Sequence, residues 1–137
     1  MNMYLKIGCD IVEQISNSEL IIMRIIWNNN NMGMYADVKQ ALETQDLHWE
    51  KNTVLTFLSR LVDKKILTIK KNGRKNEYHA IVTEDNYRSS QTENFVGKVY
   101  EGNVKGLVST LFEKQLLSND DIEELQDLLK DFDSKND

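Results

Sequence analysis

The sequence predicts a mainly α-helical fold with one small β-hairpin, and three observations predict it. Apolar residues recur at helical spacing in several stretches, beginning between Leu20 and Trp27. A stretch after position 65 is instead short, rich in β-branched residues and broken by Asn72-Gly73, a dipeptide typical of hairpin turns because both positions tolerate positive φ. The chain has 137 residues, which is enough for one core or for one small domain with a compact appendage.

The first helix has a clear start in the sequence. Ser16 and Glu19 stand at the spacing of a capping box, directly before the apolar run that ends at Trp27. The asparagine run at 28–31 and Gly33 predict a loop that ends this helix.

Two further helices follow before the hairpin. A helix from about Tyr35 to Gln45 should turn Tyr35, Val38, Ala41 and Leu42 inward, and Asp46, Leu47 and His48 form the turn after it. The third helix should bury Val54, Phe57, Leu58, Leu61 and Val62, and expose Asn52, Thr56, Ser59, Arg60 and Asp63. Three helices and then a hairpin are the order of a winged helix-turn-helix domain.

The chain divides by this pattern into three parts. Residues 1–14 read as an N-terminal arm, either a strand or a loose apolar segment interrupted by Gly8, and Cys9 within it has no basic neighbourhood that would indicate a reactive thiol. Residues 15–83 form the expected winged-helix domain. Residues 84–137 form the expected C-terminal helical dimerisation region.

That C-terminal region contains three amphipathic helices. One begins at Thr83 or Glu84, the next runs from Val104 to Phe112, and the last is capped by Ser118 with acidic residues in its first turn. Together they are too small for an independent core, so we expect dimerisation through 103–132, with folding back onto the first domain as the alternative. The apolar residues expected at the dimer contact are Val104, Leu107, Val108, Leu111, Phe112, Ile122, Leu125, Leu128, Leu129 and Phe132.

Charge is segregated along the chain although the net charge is −5. From Lys51 to Lys75 eight cations face a single acid, which gives a local charge of +7, whereas the segment from Glu113 to Asp137 has a local charge of −6. A basic face at the third helix and hairpin is what a DNA-binding protein needs, and a merely solvated charged surface is the alternative.

Composition argues against several other classes of protein. One cysteine excludes an intrachain disulfide framework, and two histidines make a protein-built metal site improbable, so no metal or other cofactor is expected. The sequence lacks a phosphate-cradling glycine loop and a catalytic constellation, so an enzyme is not expected. No signal peptide or membrane-spanning run appears, and the cytoplasm is the expected location. A winged helix that binds only other proteins remains the alternative function.

The residues resemble the bacterial penicillinase repressor family, which includes the β-lactamase, methicillin-resistance and copper-transport operon repressors. The resemblance covers about 15–132 and rests on the order of several short pieces. These pieces are Ile15-Ser16, Glu19, Met23, Ile25-Ile26-Trp27, Trp49, Thr53-Val54, Thr56, Arg60-Leu61, Lys64-Lys65, Asn94-Phe95, Lys98-Val99-Tyr100, Gly106-Leu107-Val108 and Ile122-Glu123-Glu124-Leu125.

The resemblance implies a homodimeric winged-helix repressor on an inverted-repeat operator, with the third helix of each copy in the major groove. We expect Asn52, Thr53 and Thr56 to approach base edges or nearby phosphates and Leu55 to make an apolar contact. Phosphate contacts are expected from Lys51, Arg60, Lys64, Lys70, Lys71, Arg74 and Lys75. The two threonines could equally be ordinary surface residues, and Arg74 and Lys75 could be solvated turn charges.

In the β-lactam branch of the family, release follows cleavage of an Asn-Phe bond by a membrane-bound zinc metalloprotease sensor. The matching bond here is Asn94-Phe95, although Phe95 could be simply a core or interface residue. Two departures limit the comparison. The chain ends without the cysteine-rich hook of copper-responsive members, which argues against copper sensing by that route. Leu55 stands where the antibiotic-resistance repressors have a basic residue, so the operator sequence is expected to differ, while Leu20 in place of the family's usual Trp should affect packing only.

Overall fold

A computed structural model of the chain describes residues 4–7, 10–13 and 15–136. It contains five strands and six helices in these described residues. In chain order they are β1 (Tyr4–Ile7), β2 (Asp10–Glu13), α1 (Asn17–Asn28), β3 (Met32–Met34), α2 (Tyr35–Thr44), α3 (Lys51–Asp63), β4 (Leu67–Asn72), β5 (Lys75–Ala80), α4 (Glu84–Val99), α5 (Val104–Glu113) and α6 (Asn119–Asn136). The fold is mainly α-helical with a small antiparallel sheet, as the sequence predicts.

Two compact units make up the chain. The N-terminal unit comprises Met1–Asn94 and the C-terminal unit comprises Phe95–Asp137, so the division falls inside α4. The sequence-based limit between the winged-helix domain and the helical region, at 83/84, stands at the start of that helix instead. No helix in the described part of the chain is long and apolar enough to cross a membrane.

The N-terminal arm contains a short hairpin. β1 pairs antiparallel with β2, with Tyr4 opposite Glu13 and Ile7 opposite Asp10. The sequence left a strand and a loose arm as alternatives for this segment, and the hairpin corresponds to the former. Gly8 and Cys9 lie outside the described residues.

The core of the N-terminal unit lies between the first three helices and the sheet. α1 begins at the predicted capping box, in which the Ser16 N–H donates to Glu19 Oε1 at 2.7 Å and the Glu19 N–H donates to Ser16 Oγ at 3.2 Å. Trp27, near the end of α1, donates from Nε1 to the Val82 carbonyl at 2.9 Å and packs against the Tyr87 ring. The fully buried apolar side chains are Ile22, Met23, Ile26, Val38, Leu42, Val54, Leu58 and Leu61, with Ile66 and Leu67 nearly so. Four residues predicted to face inward, Tyr35, Ala41, Phe57 and Val62, are only partly buried.

The sheet has three strands in the order β3-β5-β4, and β3 is the one that the sequence pattern missed. It occupies part of the expected loop, with Met32 opposite His79 and Met34 opposite Glu77. Asn30 and Asn31 both adopt positive φ before it, which asparagine tolerates better than most residues. Three residues are too few to show an alternating pattern, so the sequence could not distinguish this strand from a loop.

The hairpin turn lies one residue later than the dipeptide suggests. Asn72 pairs with Lys75, so the two-residue loop is Gly73-Arg74. Only Gly73 has positive φ, at 65°, which fits a two-residue turn with glycine at its first central position. The hairpin prediction is correct, and the turn residues are shifted by one.

The C-terminal unit is built from capped helices with exposed apolar faces. Asn103 caps α5 by accepting from the Gly106 N–H at 2.9 Å, and a side chain at Gly106 would collide with Asn103. Ser118 and Asp121 form a reciprocal cap at the start of α6, with both hydrogen bonds at 3.0 Å. Among the described side chains of α5 and α6, none is buried.

Candidate nucleic-acid interface

The outward face of α3 is polar over its first two and a half turns. Asn52, Thr56 and Ser59 are exposed and share one side of the helix, opposite the buried Val54 and Leu58. The Thr56 hydroxyl donates to the Asn52 carbonyl at 2.7 Å, one turn back along the helix. This hydrogen bond uses the Thr56 donor on the backbone, so Thr56 can offer a ligand its methyl group and the acceptor lone pairs of its hydroxyl oxygen.

The two cations within α3 lie against aromatic rings on its flanks. Lys51 Nζ is 5.3 Å from the centroid of the Tyr35 ring, at the start of α2. The Arg60 guanidinium carbon is 5.7 Å from the centroid of the Phe57 ring, on another side of the helix, and Thr53 lies seven residues before it on that side. Both distances are those of cation–π contacts, which hold the charged groups beside the outward face.

An open groove separates the start of α3 from the β4–β5 hairpin, which forms the wing. Its volume is about 460 Å³. Leu55, half-buried, contributes to its wall together with the buried Tyr78. Cations from α3 and the wing also line it, namely Lys51, Lys71, Arg74 and Lys75. The fold therefore brings together, around a single concave surface, residues as far apart in the sequence as Met34 and Tyr78.

The wing carries the remaining predicted cations on its surface. Lys70 and Lys71, in β4, are exposed, as are Arg74 in the turn and Lys75 at the start of β5. Their positions suit contacts with a phosphate backbone, because each charge is in solvent and lies on a paired strand or, for Arg74, on the turn that joins the two strands.

Lys64 is placed differently from the other predicted cations. Its Nζ donates to Glu19 Oε1 at 2.7 Å, and Glu19 is only 1% exposed. Burial by itself would raise the pKa of Glu19, but the hydrogen bonds from Lys64 and Ser16 outweigh burial and lower that pKa. This contact favours a role for Lys64 in joining the end of α3 to the start of α1.

A polar cluster holds the turn between α2 and α3. Lys39 Nζ lies 2.8 Å from Glu43 Oε1 and donates to the Trp49 carbonyl, while His48 contacts both Glu43 and, at 2.8 Å, Asp46. The hydrogen bond with Asp46 and then that with Glu43 raise the pKa of His48. The described residues contain no group of three or more His, Cys, Asp or Glu placed to hold a metal ion.

Six residues of this surface were not among the predicted contacts, namely Ser59, Met34, Tyr35, Ala36, Asn76 and Tyr78. Ser59 could have been found, because it follows Thr56 by three and Asn52 by seven on the same helical face. The other five line the groove. Asn76 and Tyr78 follow the predicted Lys75 along β5, whereas the approach of Met34, Tyr35 and Ala36 to Lys51 depends on tertiary packing, which no local spacing in the sequence encodes.

The predicted Asn94-Phe95 bond lies within α4, in helical conformation, at the division between the two units. Asn94 is half-buried and Phe95 is 45% exposed, with its ring 5.7 Å from the Tyr100 ring.

In the C-terminal unit, most residues predicted at the dimer contact are exposed. The exposed ones are Val104, Val108, Phe112, Leu125, Leu128, Leu129 and Phe132, and Leu107, Leu111 and Ile122 are half-buried.

Comparisons with known proteins place the chain in a family. The family model described as "Penicillinase repressor" matches residues 15–131. The methicillin resistance regulatory protein MecI of Staphylococcus aureus strain N315 is 34% identical over 118 residues, covering 85% of this chain and 93% of the relative. The penicillinase repressor of Bacillus licheniformis is 29% identical over 120 residues, covering 88% and 92%.

Among solved structures, the chain is similar to the monomeric form of Bacillus licheniformis BlaI in complex with the blaP half-operator. The identity is 32% and the TM-score 0.47, over 56% of this chain and 90% of that one. The family match alone spans most of the sequence. The chain belongs to the penicillinase repressor family, whose members are winged-helix transcriptional repressors and not enzymes.

Proposed function

We propose that this chain represses transcription by binding, as a homodimer, to an inverted-repeat DNA operator. The observation that carries the proposal is the surface formed by α3 and the wing, where an uncharged polar helix face is flanked by cations on both sides. Flanking cations can neutralise phosphates and fix the position of the protein, while the helix face meets base edges in the major groove.

The C-terminal unit supports the homodimeric part of the proposal. Its exposed apolar residues repeat along two helices, and Leu128, Leu129 and Phe132 are each more than 60% exposed. A repeated apolar face of this kind is typical of an interface between protein chains. A second copy of the chain would cover it by a two-fold contact, and two recognition helices would then meet two half-sites.

The experiment compares two duplexes taken from the DNA upstream of the gene, one with both half-sites and one with a single half-site. Fluorescence anisotropy should give much tighter binding to the complete operator, together with a dimer by light scattering at micromolar concentration. A monomer in solution would contradict the homodimer. Failure to bind any duplex at low salt would favour a winged helix that binds proteins instead.

We further propose that the repressor is inactivated by cleavage between Asn94 and Phe95, with a membrane-bound sensor metalloprotease as the partner. The resemblance to the β-lactam-responsive repressors and the exposure of Phe95 support this. A protease binds its substrate in extended form, so α4 must open locally before cleavage. Gly97, three residues after Asn94, weakens the helix there because glycine lowers helix propensity.

Cleavage is tested by mass spectrometry of the protein from its native host after exposure to a β-lactam. Two fragments that meet at Asn94-Phe95 are expected. A Phe95→Ala variant, which keeps the helix and removes the aromatic side chain beside the bond, should remain intact under the same treatment. Wild-type protein that stays intact while the controlled genes are induced would contradict the proposal.

A further inference from the structure

The outward face of α3 offers a particular set of chemical groups to DNA. The Thr56 hydroxyl already donates to the Asn52 carbonyl, and the exposed Thr56 also carries a methyl group, next in the chain to the partly exposed Leu55. Among the described residues, no group hydrogen-bonds to the Asn52 side-chain amide, which is exposed. This part of the helix therefore presents one free amide and a small apolar surface.

The two cations of α3, which are the residue types that usually read guanine, lie on the flanks of this face. Lys51 lies over the Tyr35 ring and Arg60 over the Phe57 ring, each on a flank of the helix. Guanine is read most often by a bidentate Arg or Lys, whereas Asn pairs with adenine N6 and N7 and apolar side chains contact the thymine methyl group. The chemistry of the face matches A·T pairs and lacks the usual reader of G·C pairs.

We infer that the first two turns of α3 select adjacent A·T base pairs in each half-site, with Asn52 bound to an adenine and with Leu55 and the Thr56 methyl group packed on thymine methyl groups. The inference rests on the proposed operator binding and names the bases at its centre. Lys51 and Arg60 contact the phosphates on either side and contribute no base selection.

Replacement of thymine by uracil tests the inference, because it removes only the C5 methyl group and keeps base pairing. Half-sites are first selected by the full-length protein from a randomised duplex library, and each thymine of the selected sequence is then replaced singly. At least one replacement should weaken binding about fourfold, the value expected when one methyl group is no longer buried.

Two variants identify the contact. Thr56→Ser keeps the hydroxyl that bonds to Asn52 and removes only the methyl group. At the position that Thr56 contacts, replacing thymine by uracil should therefore not change the affinity of this variant. Leu55→Lys introduces a cation into the face and should shift the selected base toward guanine. Thermal unfolding of both variants establishes that they are folded, and Thr56→Ser is a surface change that keeps its backbone hydrogen bond.

Three outcomes overturn the inference. The Leu55→Lys variant identifies the base pairs that the start of α3 contacts, because its preference changes there. If the wild-type protein selects G·C pairs at those positions, another group reads the bases. Equal affinity for every uracil-substituted duplex would remove the methyl contacts. Tight binding to all duplexes without sequence selection would mean that the protein binds DNA through phosphate contacts alone. Absence of any DNA binding would overturn the proposed function as well.

Discussion

At the scale of single residues, the Glu19–Lys64 pair is the contact that most changes the interpretation of the sequence. Replacement of Lys64 by methionine keeps the volume of the side chain and leaves the buried Glu19 carboxylate without its cation. We expect a loss of about 2 kcal/mol in the free energy of unfolding, less than for a fully buried pair because Lys64 is partly exposed. Urea unfolding measures it, and Lys71→Met, which removes an exposed cation, should change the free energy little.

The effect should depend on pH in one direction. Because the folded protein lowers the pKa of Glu19, the pair stabilises the fold above the ordinary carboxyl pKa of 4.5, and this stabilisation is lost as the pH falls through the lowered pKa. The stability difference between wild type and Lys64→Met should therefore be full at pH 7 and shrink in acid. A difference that stays constant down to pH 3 would argue against an ionised Glu19 as its origin.

Arg60 should act on DNA binding without selecting a sequence. Its guanidinium lies on the flank of α3 over Phe57, where it can reach a phosphate. Arg60→Ala should weaken binding to all duplexes and reduce the slope of log affinity against log salt concentration by about 1. Titrations at four salt concentrations measure both quantities, with Lys130→Ala on α6 as the charge-matched control. Unchanged affinity and slope would remove Arg60 from the interface.

At the scale of elements, two glycines predict opposite effects of the same substitution. Gly97 lies in α4, where an added Cβ meets nothing within 4 Å, so Gly97→Ala should stabilise the helix by about 0.8 kcal/mol. Gly73 has φ of 65° in the wing turn, so Gly73→Ala should destabilise the protein by about 1 kcal/mol. If α4 must open before cleavage, Gly97→Ala should also slow proteolysis at Asn94-Phe95, measured as the rate of fragment appearance. Faster cleavage would contradict that requirement.

The elements also show what sequence reasoning can reach. The helices were predictable because their apolar residues repeat over several turns and because Ser16 and Ser118 are local caps. β3 was not, since three residues carry no period and the strand forms only by pairing with β5, far along the chain. The same reason separates Lys64 from the other cations, because its partner Glu19 is 45 positions away. Residues on one helical face could be assigned to the site, and those joined by tertiary packing could not.

At the scale of the whole molecule, assembly should control affinity for DNA. Leu128 is 62% exposed on α6, and Leu128→Glu would place a charge in the proposed dimer contact. We expect a monomer by sedimentation, with weak binding to the complete operator and unchanged binding to a single half-site. Gln126→Glu adds the same charge outside the apolar residues of α6 and should remain dimeric. A dimeric Leu128→Glu protein would place the interface elsewhere.

The division of the chain between Asn94 and Phe95 has a consequence for how such a repressor would lose its hold on DNA. Every residue of the DNA-facing surface precedes the division, and every apolar residue of the proposed dimer contact follows it. Cleavage there would leave the DNA-binding surface of each N-terminal unit complete. It would remove only the covalent link between that unit and the proposed dimer contact. In a dimer, the second N-terminal unit binds its half-site at an effective concentration near millimolar, whereas a separate N-terminal unit binds only at its concentration in solution. Breaking a single peptide bond would then induce transcription by lowering the effective concentration of the second N-terminal unit at its half-site.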